Sequence, residues 1–364
     1  MNVAIFRESL LPYSETFIAA QAASLRRYQP TLVALKRLPN SVPLPVPSLV
    51  LPEERGLPAG GMTAFKLFSQ VPRRWDKLLR EQQFSLMHAH FGPDALWGLP
   101  LARRLALPLV VTFHGYDVNP TQTPLSHGYR YYQARRGHIF RSAKRVVAVS
   151  DWIRQRLETL GCPPSKIVTH YIGIDLNYFT PTRRESEPVV LAVGRLIESK
   201  GVRDLLQAMV EVQRRIPGAR VVIVGGGPLE EDLKAEASRL GVRAEFTGPQ
   251  TPEQVRGWME RAALFCLPSR HEAFGLVYAE AQAMQLPVVA YAHGGVPEAV
   301  RDKETGFLAP TGDKVALARH MITLLGDEPL RIRMGQAGRE HVQRHFNLQH
   351  QTHLLEGIYD QILS

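Results

Sequence analysis

Short apolar runs alternate with helix-like segments along most of the chain. Five runs in the first half are rich in Val and Leu without polar alternation, which is typical of strands buried on both faces of a parallel sheet. These runs are NVAIF, PTLVAL, FSLMHAHFG, LPLVVTFHG and AKRVVAVS. The rhythm restarts after residues 176–188 with VVLAVGRL, ARVVIVGGG, AEFTG, ALFCLPS and LPVVAYA. Strands that alternate with helices predict βαβ units and an α/β fold.

Two successive series of strands predict two domains, since 364 residues exceed the size of one comfortable hydrophobic core. We expect two doubly wound, Rossmann-like domains at residues 1–178 and 189–345, with parallel sheets facing each other across a cleft. Residues 346–364 are predicted to form a C-terminal helix that packs on the first domain. Ligands of such sheets bind beyond the carboxyl ends of the strands. The polar and Gly-rich loops follow the strands, so we expect the site between the domains.

The composition is that of an ordinary soluble globular protein, with 45% hydrophobic and 21% charged residues. No apolar run reaches the roughly 18–20 residues that cross a bilayer, and the N-terminus lacks the pattern of a signal peptide. Cys162 and Cys266 are the two cysteines. Cys266 lies in a run that predicts a buried strand, so we expect no disulfide and a reducing, cytoplasmic location.

The formal charge of +10 belongs to the first half of the chain. Residues 1–182 contain 22 Lys and Arg against 11 Asp and Glu, whereas residues 183–364 contain 22 against 23. The basic residues cluster at 26–27, 73–80, 103–104, 135–136 and 141–145. Such a surface attracts anionic lipid or nucleic acid, or is simply solvated, and charge alone leaves the three readings open.

The stretch SRHEAFGLVYAEAQ places two carboxylates, Glu272 and Glu280, around a predicted strand–loop–helix junction. The backbone N–H groups of Phe274, Gly275 and Leu276 would lie at the helix N-terminus, which suits a diphosphate. Glu272 would point toward the ligand, and Glu280 could accept two hydrogen bonds from a diol such as ribose. Alone, either glutamate is more simply a solvated residue, but together with the following Gly294-Gly295 they favour a nucleotide-sugar site.

Other loops add candidates of differing strength. Arg195 and Lys200 in VGRLIESKG follow a predicted strand and could converge on a diphosphate leaving group. Gly225 and Gly226 in the IVGGGP loop predict a turn beside a nucleotide and not a dinucleotide fingerprint.

The first half offers histidines at the ends of two predicted strands. His114, with Asp117 nearby, is a candidate to hydrogen-bond a sugar hydroxyl, although a lone histidine is more often structural. His88 and His90 resemble a His-x-His metal pair, but no third ligand is apparent, so we expect no metal.

These residues together resemble the family-four retaining glycosyltransferases of the GT-B fold, over nearly the whole chain. HEAFGLVYAE matches that family's motif of two glutamates separated by seven residues, and it is the most specific signal. The segments VGRLIESKG, GGGP, FTG, GGVPE, TGFL and GIDLNYF match other hallmarks in the expected order. PYSETFI, HAHFG and TFHGYDV are similar to enzymes that assemble exopolysaccharide or lipopolysaccharide on lipid carriers.

The resemblance implies a role for each candidate. Arg195 and Lys200 would bind the donor diphosphate, and Glu272 and His114 would contact the donor sugar. Glu280 would bind the ribose, and the base would lie near Gly248, Pro249 and Gln250. Many family members carry a Gly-Gly pair in the first strand–helix loop, where this chain has RESLLPYSETF. Ser14, also a predicted N-cap of a helix over residues 14–28, and Glu15 would take the place of that pair.

The resulting prediction is a retaining hexosyltransferase that uses a UDP- or GDP-sugar and requires no metal or other cofactor. Its acceptor would be a lipid-linked glycan, and the basic first domain would sit on the inner face of the cytoplasmic membrane. The alternatives are a synthase or epimerase acting on soluble substrates and a non-catalytic sugar-nucleotide-binding protein. Nucleic-acid binding is not expected, because no RNA- or DNA-binding motif is present.

Overall fold

The computed structural model describes residues 1–11, 15–38, 44–54, 56, 61–118, 127–182 and 187–364, without the side chain of His127. The chain divides into two compact units. Unit 1 comprises Met1–Gly173 and Leu348–Ser364, and unit 2 comprises Ile174–Asn347. Among the described residues, no helix is both long enough and apolar enough to cross a membrane.

The sheet of unit 1 consists, within the described residues, of seven parallel strands in the order β3-β2-β1-β4-β5-β6-β7. The strands are β1 Asn2–Ser9, β2 Gln29–Lys36, β3 Ser48–Val50, β4 Phe84–His90, β5 Leu109–Phe113, β6 Arg145–Ala148 and β7 Ile167–Thr169. The central strands are buried almost throughout because helices cover both faces, which explains their continuous apolar runs. The chain order reverses between β1 and β4, so this sheet has its switch point there.

Helices connect these strands. They are α1 Thr16–Ala23, α2 Leu51–Glu54, α3 Gly61–Phe68, α4 Arg73–Glu81, α5 Gly92–Arg104, α6 His127–Ser142 and α7 Asp151–Thr159. Strand β3 and helix α2 lie inside a Pro-rich stretch, residues 38–58. Residues 39–43, 55 and 57–60 lie outside the described residues.

Helix α1 is shorter than the predicted helix over residues 14–28. It ends at Ala23, where the Ser24 hydroxyl donates to the Ala20 carbonyl. The backbone N–H groups of Arg26 and Arg27 instead donate to the carboxylate of Glu356, far away in sequence. A tertiary contact therefore overrides the helical pattern of this segment.

Unit 2 has a second parallel sheet, with six described strands in the order β10-β9-β8-β11-β12-β13. They are β8 Val189–Val193, β9 Arg220–Val224, β10 Ala244–Gly248, β11 Leu264–Cys266, β12 Val288–Tyr291 and β13 Gly306–Ala309. The helices are α8 Val202–Arg215, α9 Glu230–Leu240, α10 Pro252–Arg261, α11 Leu276–Ala283, α12 Val296–Ala299, α13 Lys314–Gly326 and α14 Glu328–His345. The switch point of this sheet lies between β8 and β11.

The last helix, α15 Leu348–Leu363, belongs to unit 1. Its Leu355, Ile358 and Tyr359 are buried in the same apolar cluster as residues of β1 and β2. The main chain of unit 1 is therefore completed by a segment that follows unit 2 in sequence.

Candidate active site

An ion pair lies at the switch point of the unit 2 sheet. Lys200 follows β8 in a 3₁₀ turn, Glu198–Lys200, and Glu272 lies in the loop between β11 and α11. The Lys200 Nζ is 2.7 Å from Glu272 Oε2, and the two side chains are 20% and 13% exposed. Two sequence candidates 72 residues apart are thus brought together where doubly wound sheets bind their ligands.

The backbone of Glu272 is held by the neighbouring loop after β12. Gly295 donates its N–H to the Glu272 carbonyl at 3.0 Å. Gly294 has φ +65°, and a Cβ there would overlap the same carbonyl oxygen. The Gly294-Gly295 pair that the sequence singles out therefore serves to fix the loop carrying the glutamate.

Two further bonds tie this loop to the start of α8. The Arg270 guanidinium is 2.6 Å from the Asp204 carboxylate, which also accepts a hydrogen bond from the Tyr291 hydroxyl at 2.9 Å. The Arg270 N–H donates to the Ser199 carbonyl at 2.8 Å, next to Lys200. These bonds join the two loops that carry Lys200 and Glu272, so the protein itself holds the ion pair in place.

Glu280 differs from Glu272 in having no partner. It lies in the second turn of α11, and no hydrogen bond or ion pair reaches its carboxyl from the described residues. Burial raises its pKa to about 7. Burial, together with Glu253 and Glu280, also raises the pKa of Tyr178, whose hydroxyl is buried and unpartnered in the described structure. A buried, unpartnered hydroxyl within electrostatic reach of the Glu280 carboxyl indicates a place for a hydroxyl-bearing ligand.

The N-terminus of α11 has the form that the sequence predicts. Gly275 is the N-cap with φ +86°, and Leu276 is the first helical residue. The Phe274 side chain is buried against Phe346, with ring centroids 4.9 Å apart. Phe274 and Gly275 therefore define the shape of the loop that leads into α11. Direct contact of their amides with phosphate remains a prediction.

The glycine loops after β9 and β10 pack against the loop after β8. Gly225 donates its N–H to Gly248 at 3.0 Å, and a Cβ on Gly226 would lie 3.2 Å from the ring of Pro249. The Leu196 N–H donates to the Gly226 carbonyl at 3.0 Å. These contacts give Gly225 and Gly226 a structural role in positioning the loop of Arg195. The Arg195 side chain is exposed, and no ion pair to it occurs in the described parts of the chain.

In unit 1, His114 lies just beyond β5 and is held on three sides. Its Nε2 is 3.0 Å from Nδ1 of His90, and its ring packs on Phe91. Asp117 accepts the backbone N–H groups of His114 and Gly115, the latter at 2.8 Å. Burial, opposed by these hydrogen bonds, raises the pKa of Asp117 to about 6. Asp117 thus fixes the turn that presents His114.

The Nδ1 atom of His114 is buried and has no hydrogen-bond partner among the described residues. Burial lowers the pKa of His114 well below its usual value, so the ring is neutral at neutral pH. A neutral ring bonded to His90 through Nε2 has Nδ1 left for a ligand hydroxyl. The predicted metal-like pair is engaged otherwise, since His88 lies 2.6 Å from both the Tyr359 and Thr112 hydroxyls.

Glu15 is engaged within the protein. As the N-cap residue of α1 it makes no capping bond, and its carboxylate is 2.7 Å from the buried guanidinium of Arg7. Arg7 also pairs with Asp94 at 3.1 Å and lies over the Phe91 ring. Ser14, the other candidate of this loop, lies outside the described residues.

Sequence reasoning missed Arg7, His90 as the partner of His114, and the Arg270–Asp204 bond. A signal existed for Arg7, because it interrupts an otherwise apolar strand near its carboxyl end. Tyr178 was also missed as a neighbour of Glu280, and nothing in their spacing could have revealed it.

Two family profiles match the chain, each over one part of it. The profile described as "Glycosyltransferase Family 4" matches residues 15–178, and that described as "Glycosyl transferases group 1" matches residues 175–341.

Individual proteins are similar over most of the chain. The GDP-mannose-dependent alpha-(1-6)-phosphatidylinositol monomannoside mannosyltransferase of Mycolicibacterium smegmatis is 34% identical over 74% of this chain and 74% of its own length. The putative colanic acid biosynthesis glycosyltransferase WcaL of Escherichia coli is 31% identical over 72% of this chain and 66% of its own length. Among solved structures, Anabaena HepE in complex with UDP-glucose has a TM-score of 0.81 at 19% identity, covering 99% of this chain and 100% of that chain.

Proposed function

The chain belongs to the glycosyltransferases of family 4 and group 1 and has their GT-B fold, and we propose that it transfers a hexose from a nucleoside-diphosphate sugar to a hydroxyl of a lipid-linked glycan. The sugar would keep its anomeric configuration, and the product would enter cell-surface polysaccharide. The observation that carries this proposal is the Lys200–Glu272 pair at the switch point of unit 2. The loop of Glu272 leads directly into α11, which carries Glu280.

The donor is assigned to groups of unit 2. Arg195 and Lys200 hold the diphosphate together with the N-terminus of α11. Glu280 accepts hydrogen bonds from the ribose diol, and Gly248 and Pro249 lie beside the base.

Glu272 exchanges part of its bond with Lys200 for hydroxyls of the transferred sugar. From unit 1 we assign His114, through its free Nδ1, to a hydroxyl of that sugar. Both assignments use polar groups that are partly or fully buried, where each hydrogen bond to a ligand contributes more than it would in water.

Transfer breaks the bond between the anomeric carbon and the leaving phosphate oxygen and forms one to the acceptor oxygen. We propose that the acceptor attacks from the same face that the diphosphate leaves and gives its proton to the departing phosphate. Arg195 and Lys200 stabilise the negative charge that develops on that phosphate, which is the transition-state interaction expected to matter most.

The acceptor is proposed from charge and from the relatives. The excess of Lys and Arg in residues 1–182 suits an anionic membrane surface, where a lipid-linked acceptor resides. One relative is named for a phosphatidylinositol monomannoside, which is a sugar on a lipid, and the other for colanic acid biosynthesis. We therefore place the protein peripherally on the inner face of the cytoplasmic membrane.

The donor site is tested by thermal denaturation with UDP, GDP, ADP and dTDP, each without added metal. A nucleoside diphosphate at about 100 times its dissociation constant adds about 2.7 kcal/mol to the free energy of unfolding. We expect one of the four to raise the melting temperature of the wild-type protein, and Glu280→Ala to lose most of that rise. If none does so, the proposed donor site is wrong.

Turnover is tested with the sugar nucleotide of the responding base and a lipid-linked acceptor. Lys200→Ala should lower kcat by about 100-fold or more, because the charge it stabilises is largest in the transition state. An unchanged kcat contradicts the role of Lys200. Equal turnover with soluble acceptors alone would instead support a synthase acting on soluble substrates.

A further inference from the structure

A basic groove of about 750 Å³ lies on the helical face of unit 1, between α5, α6 and the segment that joins α3 to α4. Its walls include Arg73, Leu96, Trp97, Arg103, Tyr131 and Arg135. No Asp or Glu lines it among the described residues. None of these residues takes part in the donor site described above.

Two aromatic rings and two cations lie close to one another at this groove. The rings of Trp97 and Tyr131 are nearly parallel, 10° apart in plane with centroids separated by 6.0 Å. The Lys66 ammonium lies 5.1 Å from the Trp97 centroid, and the Arg135 guanidinium 4.6 Å from that of Tyr131. A cation therefore lies within cation–π distance of each ring.

The positive charge of the groove is largely uncompensated. Arg104 is paired with Asp76 at 2.9 Å and Lys66 with Glu8 at 2.6 Å, whereas no ion pair to Arg73, Arg103 or Arg135 occurs in the described structure. Burial, followed by the charges of Arg103, Arg141 and Arg135, lowers the pKa of His138 at the groove wall. Several cations thus act on the same space, as expected of a site for anionic groups.

An apolar tip stands next to the groove. Helix α3 buries Phe65 against Trp75 but leaves Leu67 and Phe68 57% and 69% exposed at its end. The next residue, Ser69, lines the groove. Two large exposed apolar residues beside a cationic groove match a lipid bilayer, which has an apolar interior beneath anionic headgroups.

We propose that this groove docks unit 1 on an anionic phospholipid bilayer, with headgroup phosphates bound by Arg73, Arg103 and Arg135 and with Leu67 and Phe68 inserted at the acyl boundary. Trp97 and Tyr131 lie at headgroup level, where such rings are favoured. Nucleic acid fits less well, because it gives no role to the exposed Leu67 and Phe68, and because each ring already lies beside a cation and near the other ring. The inference rests on the proposed function in one respect only, namely that docking on the bilayer would give the protein access to a lipid-linked acceptor.

The test measures binding of the full chain to vesicles without donor or acceptor. Flotation is compared for phosphatidylcholine vesicles and for vesicles of phosphatidylcholine and phosphatidylglycerol in equal parts, at low and high salt. We expect salt-sensitive binding to the anionic vesicles only. Replacing Arg73, Arg103 and Arg135 by Ala should weaken vesicle partitioning about 100-fold. Each basic residue near an anionic membrane surface strengthens binding about fivefold, and three such factors multiply.

Two further variants separate the groove from general charge. Arg26, Arg37 and Lys144 are exposed residues of unit 1 outside the groove, and replacing all three by Ala changes the charge equally. We expect this control to bind almost as the wild type does. Leu67→Ser with Phe68→Ser should weaken partitioning about 10-fold or more without changing the charge. Melting temperatures near that of the wild type verify that each variant is folded.

Three outcomes overturn the proposal. They are no binding of the wild type to anionic vesicles at low salt, equal losses in the groove and control triple variants, and groove-dependent binding of oligonucleotides without binding of vesicles. The donor site is measured separately by the nucleoside-diphosphate thermal shift. A retained thermal shift with failed vesicle binding removes the groove inference and leaves the proposed transferase intact.

Discussion

Glu272 and Glu280 illustrate how residues of one type receive different properties within a single loop and helix. Glu272 shares a short ion pair with Lys200, whereas burial raises the pKa of the unpartnered Glu280 to about 7. Pairs of titratable groups with contrasting environments are a feature of functional sites. Glu280 therefore has a measurable signature of its own, even in the absence of a ligand.

At the residue scale, the free energy of unfolding is expected to depend on pH through Glu280. With a pKa raised from its ordinary 4.5 to about 7, Glu280 keeps its proton in the folded state where the unfolded chain releases it. Its contribution to stability is full below about pH 4.5 and is lost as pH rises through about 7. At about pH 8, Glu280→Gln should therefore be more stable than the wild type by about 2–3 kcal/mol, with little difference near pH 4.5.

Urea denaturation followed by circular dichroism at the two pH values measures this difference. Glu231→Gln is the matched control, since Glu231 lies in the same unit with a side chain 86% exposed. A Glu280→Gln variant that is no more stable at high pH than the control would contradict the assigned burial. The same substitution should weaken donor binding, because an amide accepts fewer hydrogen bonds from a diol than a carboxylate.

At the scale of elements, the site depends on how loops at the carboxyl edge of the unit 2 sheet brace one another. The loop after β9 packs on the loops after β8 and β10, and the loop after β12 supports the one after β11. Gly294 is one of the tightest of these contacts, because a Cβ there would lie 2.0 Å from the Glu272 carbonyl oxygen. The position of Glu272 is thus decided in part by the glycines of a neighbouring loop.

Replacing Gly294 by Ala tests this support. Alanine at φ +65° costs about 1–2 kcal/mol by itself, and its Cβ would also push on the Glu272 carbonyl. Gly312→Ala is the control, since Gly312 has φ +87° and no atom within 4 Å of the added Cβ. We expect Gly294→Ala to lose at least twice the free energy of unfolding that Gly312→Ala loses, and to lower kcat. Equal effects of the two substitutions would remove the bracing role.

At the scale of the whole molecule, unit 1 is assembled from both ends of the chain. Glu356 on α15 accepts the backbone N–H groups of Arg26 and Arg27, both at 2.7 Å. Burial alone would raise the pKa of Glu356, but these N–H groups and the Arg27 side chain outweigh it and lower the pKa. Tyr359 on the same helix bonds His88, which stacks on His90. The C-terminal helix thus reaches the histidine that orients His114.

Glu356→Ala should accordingly lower the stability of unit 1. Two backbone N–H groups lose their acceptor, which corresponds to about 2–4 kcal/mol in the free energy of unfolding. Three of the four tryptophans, Trp75, Trp97 and Trp152, lie in unit 1, so tryptophan fluorescence during urea denaturation follows mainly this unit. Gln361→Ala, an exposed position on the same helix, is the control. If the two variants unfold alike, the Glu356 bonds do not hold the unit together.

Much of the fold could be predicted from local pattern. The apolar runs correspond to β1, β2, β4, β5 and β6 in unit 1 and to β8 through β12 in unit 2. The strands β3, β7 and β13 were missed, because each lies at an edge of its sheet, is only partly buried and lacks an extended Val- and Leu-rich run. The predicted helix at α1 was too long, because the backbone N–H groups of Arg26 and Arg27 in its last predicted turn donate to the Glu356 carboxylate instead.

The sequence by itself determined the class of fold, the order of the elements and the residue types available at the strand ends. Such properties follow from hydrophobic period and from loop chemistry, which act over a few residues. Only the tertiary structure decided that Lys200 meets Glu272, that no described residue pairs with the Glu280 carboxyl, and that His90 engages His114. These relations join residues that are distant in sequence or depend on burial, and burial is a property of the packed molecule alone.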